Sequence, residues 1–281
     1  MKHTIAMLHP GEMGTAIGAG LISRGHRVVW ASMGRSGWTR KRAEQAGLED
    51  LDTLEQAVDA ADIVFSVCPP HAATDLARAV AACGFRGVYV DANAVAAETS
   101  CALGRMIEAA GASFVDAGII GPPPIPGASV RLYLCGNRAA EIAALFEGCV
   151  MQAITLEGPL GAASALKVCY AAWNKGATAL LGAIRALAQQ DGVDAALIEE
   201  WKISQPDIPK RSEMITVSAR KAWRWIAEME EIAASFETAG LPEGFHMAAA
   251  DVYRRLEGFK DAAKAPALAE VTAALSRTRR A

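Results

Sequence analysis

The sequence predicts an α/β fold, in which a Rossmann-type, doubly wound parallel sheet is followed by an all-α C-terminal domain. Apolar, strand-like segments alternate with helical segments from residue 4 to residue 156, the order expected of a parallel sheet covered by helices. From residue 160 onward the strand-like segments stop and only helical patterns follow. We therefore place one domain at residues 1–158 and a second, all-helical domain at residues 159–281.

Composition limits the class of protein. The chain has 281 residues, of which 52% are hydrophobic and 21% are charged, so two cores can form and disorder is not expected. A net charge of −3 argues against a nucleic-acid-binding protein. We find neither a signal-peptide pattern nor an apolar run long enough to span a membrane, and we expect a cytoplasmic protein with no membrane partner.

The six cysteines and five histidines are scattered along the chain. No Cys-x-x-Cys pair occurs, and each cysteine lies among apolar or small residues. We expect reduced, mostly buried thiols and no metal site. The cysteines are Cys68, Cys83, Cys101, Cys135, Cys149 and Cys169.

The first elements form a strand, a turn, a helix and a second strand within the length of one βαβ unit. The strands are residues 4–8 and 26–30, and a helix of small residues lies between them. Such a helix start offers backbone N–H groups and the positive end of a dipole to a pyrophosphate. The turn and the helix start comprise His9, Pro10, Gly11, Glu12, Met13 and Gly14.

This turn is an imperfect form of the Gly-x-Gly-x-x-Gly dinucleotide fingerprint, because His9 stands at the first glycine position. Gly11 would let the backbone approach the phosphates, and Gly14 would let helix and strand pack closely. If the first position requires a positive φ, His9 is more strained there than glycine. The pattern indicates dinucleotide binding; the alternative is an ordinary strand–turn–helix whose glycines serve packing.

The segment after the second strand favours NADP over NAD. An NAD-binding fold carries Asp or Glu here to bind the adenosine ribose, and residues 31–38 contain no acid. Ser32 and Arg35 instead supply the hydroxyl and guanidinium groups that a 2′-phosphate needs. The alternative is a solvated, basic helix start that includes Arg40 and Lys41.

Further strands and helices alternate through the rest of the first domain. Continuous apolar runs fit strands that are buried on both faces of a parallel sheet, and such sheets bind ligands beyond the carboxyl ends of their strands. Polar or turn residues at those ends include Cys68, Pro69, Pro70, Asp91, Asn93 and Asp116. Of these we assign Cys68, Pro69, Pro70 and Asn93 to the cofactor. The pattern predicts strands at residues 61–68, 87–93, 112–116, 129–136 and 152–156, and helices at residues 40–47, 54–60, 74–83, 97–111 and 138–146.

The second domain reads as helices at residues 161–190, 195–203, 208–239, 243–256 and 266–277. The first of these is rich in Ala and Gly and must be covered on most sides, which a second subunit would help to do.

Lys167 is the only charged residue between Glu157 and Lys175. Helical spacing places Tyr170 and Asn174 on its face of the helix. A lysine among apolar groups can work as an acid or base near neutral pH. The alternative is a lysine that extends its ammonium group to the domain surface.

The order of elements and several motifs resemble the 3-hydroxyisobutyrate and 6-phosphogluconate dehydrogenase superfamily, the β-hydroxyacid dehydrogenases. The family's Gly-x-Gly-x-Met-Gly turn matches residues 9–14, and its strand and proline loop match residues 63–69. Its Asp-x-Ser-Thr strand end matches residues 91–94, and its Asp-Ala-Pro-Val-Ser-Gly-Gly stretch matches residues 116–122. The resemblance covers nearly the whole chain and places the family's catalytic lysine on Lys167.

The sequence also departs from the family pattern. In hydroxyacid-oxidising relatives a serine or threonine and a glycine pair hold the substrate carboxylate, and here these positions are Asn93, Ile120 and Pro122. Because of these departures, we expect a substrate pocket that is drier and less cationic than in the hydroxyacid-oxidising relatives. The segment around residues 223–246 is similar to a poorly characterised bacterial branch of NAD(P)-dependent oxidoreductases. In this segment Trp225, Glu231 and His246 could line the substrate end of the cleft. The alternative for the helix is an interfacial helix with paired charges, and the alternative for His246 is a structural histidine. The substrate residues that we assign are Asn93, Ile120, Tyr170, Asn174, Trp225, Glu231 and His246.

The predicted function is that of an NADP-preferring oxidoreductase that transfers hydride between the nicotinamide and a small carbonyl or alcohol substrate. Lys167 would be the general acid/base. The alternatives are an imine reductase on the same fold and a non-catalytic NADP-binding sensor or interaction protein. The resemblance implies a homodimer with interlocked helical domains, in which residues 1–158 bind the cofactor and residues 159–281 serve the substrate and dimerisation.

Overall fold

The computed structural model describes residues 2–260 and 262–276. The chain divides into two compact units, residues 1–168 and 169–281. The division falls inside one long helix, Ala162–Gln190. The first unit therefore includes the beginning of that helix as well as all the strands. Within the described ranges, no helix is long and apolar enough to cross a membrane.

The described part of the first unit contains one eight-stranded sheet. Its strands are β1 (Thr4–Leu8), β2 (Arg27–Trp30), β3 (Glu49–Asp50), β4 (Ile63–Ser66), β5 (Val88–Asp91), β6 (Ser113–Ile120), β7 (Val130–Cys135) and β8 (Met151–Thr155). Their order in space is β3-β2-β1-β4-β5-β6-β7-β8. The first six strands run parallel, whereas β7 is antiparallel to β6 and parallel to β8. The predicted doubly wound sheet is confirmed, and its last two strands are reversed.

Helices cover both faces of this sheet. Successive residues of β1 enter different cores: Ile5 and Met7 belong to one cluster, and Ala6 and Leu8 belong to the other. A strand buried on both faces needs the continuous apolar run that the sequence shows. The helices of the first unit are α1 (Glu12–Ser23), α2 (Gly37–Gln45), α3 (Leu54–Asp59), α4 (Ala73–Ala82), α5 (Ala97–Ala109) and α6 (Ala139–Ala144), and α7 (Ala162–Gln190) begins there.

The second unit contains the rest of α7 and further helices, so the predicted all-α C-terminal region is confirmed. These are α8 (Asp194–Ser204), α9 (Ile208–Ala219), α10 (Ala222–Thr238), α11 (Gly244–Arg255) and α12 (Leu268–Ser276). The end of the last predicted helix, residue 277, lies outside the described residues.

Three elements differ from the sequence prediction. The short strand β3 was not predicted, and β6 continues through Ile120 instead of ending at Asp116, because its second half pairs with β7. The single helix predicted at residues 208–239 is wrong. The chain leaves helical geometry at Lys221, with φ −112° and ψ 0°, and α10 starts anew. No glycine or proline marks this turn, so helix periodicity alone could not show it.

A charged cluster joins three helices of the second unit. The Lys175 ammonium group of α7 donates to the Glu228 carboxylate of α10 and lies 5.1 Å from the centre of the Trp225 ring. The Tyr253 hydroxyl of α11 donates to the Lys175 backbone oxygen over 2.7 Å. Burial raises the pKa of Tyr253, which therefore stays protonated and keeps this hydrogen bond. The predicted helix with paired charges, α10, forms ion pairs through Glu228 with Lys175 and through Glu230 with Arg254.

Helices α7 and α11 border an apolar groove of about 570 Å³. Large apolar side chains stand exposed along it: Trp173 is 63% exposed, Leu180 62% and Phe245 75%. A large, contiguous apolar surface of this kind is typical of a site that binds a protein or a ligand.

All six cysteines are free. Cys68 and Cys135 are buried, Cys83, Cys101 and Cys149 are half-buried, and Cys169 is exposed. Burial raises the pKa of the five buried or half-buried thiols, and it raises that of Cys68 to about 12.

Candidate active site

The carboxyl ends of four parallel strands lie side by side in the first unit. Leu8 at the end of β1 is paired with Ser66 of β4, Ser66 with Asp91 of β5, and Asp91 with Asp116 of β6. The segments that follow these strands therefore emerge along one edge of the sheet. Ligands bind at this edge in doubly wound sheets. The sequence-predicted cofactor residues after β1, β4 and β5 lie in these segments, and those after β2 follow a strand that pairs in parallel with β1.

The turn after β1 has the backbone of a dinucleotide turn. His9 has a φ of 61°, so the first motif position does adopt the left-handed conformation that favours glycine. The Gly11 N–H donates to the His9 oxygen over 2.7 Å. A Cβ added to Gly14 would lie 3.0 Å from that same oxygen, which explains the glycine at the third position.

The start of α1 fits a pyrophosphate. Its N-cap is Gly11, and no side chain caps the helix. A Cβ added to Gly11 would meet no atom within 4 Å, so there is open space in front of the helix. An uncapped helix N-terminus with room beside it is an anion site by its N–H groups and its dipole.

Arg35 reaches from the segment after β2 to the turn after β1. Its Nη2 lies 3.5 Å from Nδ1 of His9. Burial lowers the pKa of His9 to about 4, and the charges of Arg35 and His71 act in the same direction. His9 is therefore neutral at neutral pH, and the tautomer protonated at Nε2 can accept a hydrogen bond from the guanidinium group.

Ser32 is buried just before Arg35, with 1% of its surface exposed. Its backbone oxygen accepts a hydrogen bond of 3.0 Å from Arg40. Ser36 caps α2, since its hydroxyl accepts from the Thr39 N–H over 3.3 Å. The segment is thus an ordered loop that presents Arg35, with Arg40 bonded to the loop backbone.

Asn93 connects the segments after β4 and β5. It is buried, and its Oδ1 accepts from the Cys68 N–H over 2.6 Å. Its Nδ2 donates to the Ser66 hydroxyl over 2.9 Å and to the Asp91 carboxylate. The structure brings Asn93 to the predicted edge, and there the amide fixes the position of the Cys68–Pro69–Pro70 segment.

Asp91 is fully buried beneath this segment. Burial raises its pKa to about 7, and the neighbouring Asp116 adds to the effect. Its Oδ2 has no hydrogen-bond partner within the described residues. A share of this carboxyl group is therefore protonated at neutral pH.

Asp116 anchors the beginning of α7 to β6. Its carboxylate accepts from the Ala163 N–H (2.8 Å), the Ser164 N–H (3.1 Å) and the Ser164 hydroxyl (2.6 Å). The Ser100 hydroxyl of α5 adds a fourth hydrogen bond of 2.8 Å. A carboxylate at this place satisfies N–H groups at the helix start and interacts favourably with the helix dipole.

Lys167 lies one helical turn after this anchor, against the extension of β6. Its Nζ donates to the Ile119 backbone oxygen over 2.7 Å. Gly118 makes the approach possible, because a Cβ there would lie 2.5 Å from the Ala163 oxygen and 3.3 Å from Cβ of Lys167. Ile119 is three residues beyond Asp116, so the ammonium group lies about 10 Å past the end of the parallel edge. Ile120, predicted at the substrate, is the buried next residue of β6.

The other predicted substrate residues belong to the second unit. Tyr170 and Asn174 are exposed, and the Asn174 amide donates to the Tyr170 oxygen over 2.9 Å. Trp225 packs edge-on against Tyr253. Glu231 is partly exposed on α10. His246 is buried with its ring 4.5 Å from that of Phe236, a packing that favours its structural interpretation.

Several contacts could not be found from the sequence. Asp91 and Asp116 were predicted at strand ends, but their partners lie on separate segments. Only the residue types, an acid after a strand and a serine at a helix start, hinted at the Asp116–Ser164 cap. Within residues 2–260 and 262–276, no three His, Cys, Asp or Glu side chains form a metal-binding group.

Two family models match the chain, and each covers less than half of it. Residues 4–94 match the family described as "NADP oxidoreductase coenzyme F420-dependent". Residues 188–256 match a domain of unknown function, DUF1932. The first match contains the β1–α1 turn, Arg35 and the Cys68 segment, and the second contains α8, α9, α10 and α11. A search of curated proteins found no match.

Solved structures match nearly the whole chain. The conserved protein MTH1747 of unknown function, reported as structurally similar to 3-hydroxyacid dehydrogenases, is 25% identical over 91% of this chain and 97% of its own, with a TM-score of 0.70. Mycobacterium tuberculosis 3-hydroxyisobutyrate dehydrogenase, solved with L-serine, is 19% identical over 99% of this chain and 100% of its own (TM-score 0.74). A Bacillus cereus imine reductase is 17% identical over 98% and 99% of the two chains (TM-score 0.58). The last two show a shared fold.

The fold and the comparisons support an NAD(P)-dependent oxidoreductase of the dehydrogenase or reductase class. The comparisons support the resemblance seen in the sequence, since MTH1747 is itself structurally similar to 3-hydroxyacid dehydrogenases and the 3-hydroxyisobutyrate dehydrogenase shares the fold.

Proposed function

We propose that the protein is an NADP-preferring oxidoreductase that transfers hydride between the nicotinamide and a small carbonyl or alcohol substrate. The observation that carries this proposal is the position of Lys167, which is held on the Ile119 oxygen beyond the strand ends that carry the dinucleotide turn. The Asp116 cap and the Gly118 approach fix that position from two sides. A functional side chain fixed in this way is preorganised for one task.

The residues of the first unit divide the work. NADP, when bound, supplies or accepts the hydride. The helix start at Gly11 would hold the pyrophosphate, and Arg35 would bind the 2′-phosphate. Lys167 would hydrogen-bond the substrate oxygen, donate a proton to it during carbonyl reduction and accept one during alcohol oxidation.

Two other functions compete with this proposal. The likeness to an imine reductase leaves reduction of a carbon–nitrogen double bond open, but a lysine positioned to protonate oxygen favours carbonyl chemistry. A non-catalytic NADP sensor would keep the helix start and Arg35 and would not need Lys167.

We place the protein in the cytoplasm, because its six free thiols suit a reducing compartment.

Cofactor choice can be tested at Arg35. In Arg35→Ala we expect the Kd for NADPH to rise about 10- to 100-fold, because a charge-assisted hydrogen bond to phosphate is worth about 1.5–3 kcal/mol. The Kd for NADH should change by less than about twofold, since NADH lacks the 2′-phosphate. Fluorescence titration with both cofactors measures these values.

The matched control is Arg78→Ala. Arg78 is an exposed arginine of α4 that is paired with Asp75. The Arg78→Ala variant should have the same Kd for NADPH and for NADH as the unmodified protein. Equal affinities for NADH and NADPH in the unmodified protein, unchanged in Arg35→Ala, would refute the 2′-phosphate assignment.

We also propose that the protein is a homodimer, joined through helical domains that interlock. The support is the α7–α11 groove with its exposed Trp173, Leu180 and Phe245, which a second copy would cover. We expect Leu180→Glu to convert a particle of twice 29.5 kDa into one of 29.5 kDa, because a charge cannot be buried unpaired in the interface.

Light scattering after gel filtration measures this mass. Ile203→Glu serves as the control, since Ile203 is 80% exposed on α8 and is not part of the groove. A monomeric unmodified protein, or a Leu180→Glu dimer as stable as the original, would rule out this interface.

A further inference from the structure

The imidazole at the first position of the dinucleotide turn is not needed for the turn itself. Glycine adopts a φ of 61° without strain, whereas another residue there carries a cost of roughly 1 kcal/mol or more. The backbone contact of this turn, from the Gly11 N–H to the oxygen of residue 9, does not depend on the side chain. The side chain of His9 therefore calls for an explanation of its own.

The surroundings of His9 are cationic and partly closed to water. Arg35, from the segment after β2, has Nη2 at 3.5 Å from the His9 Nδ1. His71, from the segment after β4, is a second basic group whose charge lowers the pKa of His9. Glu12, the first residue of α1, lies three residues after His9 in the sequence. Burial and the two basic neighbours lower the pKa of His9 to about 4, so the free protein keeps this imidazole neutral.

We propose that His9 is a second specificity-determining residue for the 2′-phosphate of NADP, binding it together with Arg35 and taking up a proton as it does so. This inference rests on the proposed function, in which Arg35 binds the 2′-phosphate. A phosphate held by the Arg35 guanidinium group is within reach of an imidazole that lies 3.5 Å from the same group.

The charge balance supports proton uptake. In the free protein Arg35 and His71 disfavour a charged His9. A dianionic phosphate beside both His9 and Arg35 reverses this effect, because a nearby opposite charge favours the protonated imidazole. Linkage then requires that a lower pH tighten NADP binding. NAD has no phosphate there, so its binding should not depend on the protonation of His9.

The test compares Kd values for NADPH and NADH between pH 6.5 and 8.5 in the unmodified protein, His9→Gly and His9→Asn. Glycine accepts the backbone of residue 9 without strain, and asparagine tolerates it, so both variants should fold. We expect the ratio of NADH to NADPH Kd to rise about tenfold from pH 8.5 to 6.5 in the unmodified protein, which requires the bound phosphate to raise the pKa of His9 from about 4 to roughly 7.5. Both variants should lose this rise. The phosphate's own ionisation near pH 6 is common to all three proteins and cancels in the comparison.

A second measurement does not depend on cofactor turnover. The His9 ring signals, assigned by their loss in His9→Gly, can be followed by NMR during titration with 2′-phospho-ADP-ribose and with ADP-ribose. We expect the phosphorylated ligand alone to raise the pKa of His9. A pH-independent preference for NADPH, with an unshifted His9, would overturn this inference and leave the proposed function standing. No preference for NADPH at any pH would overturn both.

Discussion

Lys167→Ala is expected to lower kcat by about 100-fold or more, while the Kd for NADPH changes by less than about twofold. General acid/base catalysis contributes roughly 10²–10⁴ to a rate. In the proposed function the Lys167 ammonium group is the proton donor, and its contact to the Ile119 oxygen does not involve the residues assigned to the cofactor. Stopped-flow turnover with an active carbonyl substrate and fluorescence titration with NADPH measure the two quantities.

Lys202→Ala is the matched control. Lys202 is a half-exposed lysine on α8, paired with Glu199, and its loss should leave kcat unchanged. An unchanged kcat in Lys167→Ala would refute the assignment of Lys167 as the general acid/base. Tight NADPH binding without turnover on a panel of carbonyl, alcohol and imine substrates would favour the sensor.

Asp116→Ala is expected to destabilise the first unit by about 4 kcal/mol. The carboxylate is fully buried and accepts four hydrogen bonds, from Ser100, Ala163 and Ser164. Truncation leaves buried N–H and hydroxyl groups without an acceptor, and each such group costs roughly 1–3 kcal/mol, partly offset by local rearrangement. Urea unfolding measures the free-energy difference.

Two further variants set the scale of this effect. Asp116→Asn retains an acceptor oxygen and should lose less than Asp116→Ala. Asp75→Ala removes an exposed carboxylate of α4 and should change the free energy of unfolding by less than about 0.5 kcal/mol. If Asp116→Ala were as stable as Asp75→Ala, the cap would not be what holds the beginning of α7.

The sequence could show what depends on local chemistry. Apolar runs predicted the parallel strands, and the place of His9 in the glycine motif raised the question of a positive φ, which the structure shows. The missing acid after β2 directed attention to Arg35. Each of these features lies within a few residues of the pattern that reveals it.

Features that depend on distant residues could not be predicted. The Asp116–Ser164 and Lys167–Ile119 hydrogen bonds both join residues 48 positions apart. The direction of β7 leaves no trace in its apolar pattern, because a buried strand looks the same in either direction. The Lys175–Glu228 pair was likewise hidden, since its helices come together only in the folded unit.

The thiols of this protein differ in their chemical reactivity. The thiolate is the form that reacts with alkylating agents and peroxides, and burial raises the pKa of the five buried or half-buried cysteines. Cys169 alone is exposed, two residues after Lys167. A maleimide or a fluorescent iodoacetamide should therefore attach to this position first. The protein thus carries a natural labelling handle near the beginning of α7, with no need to engineer one.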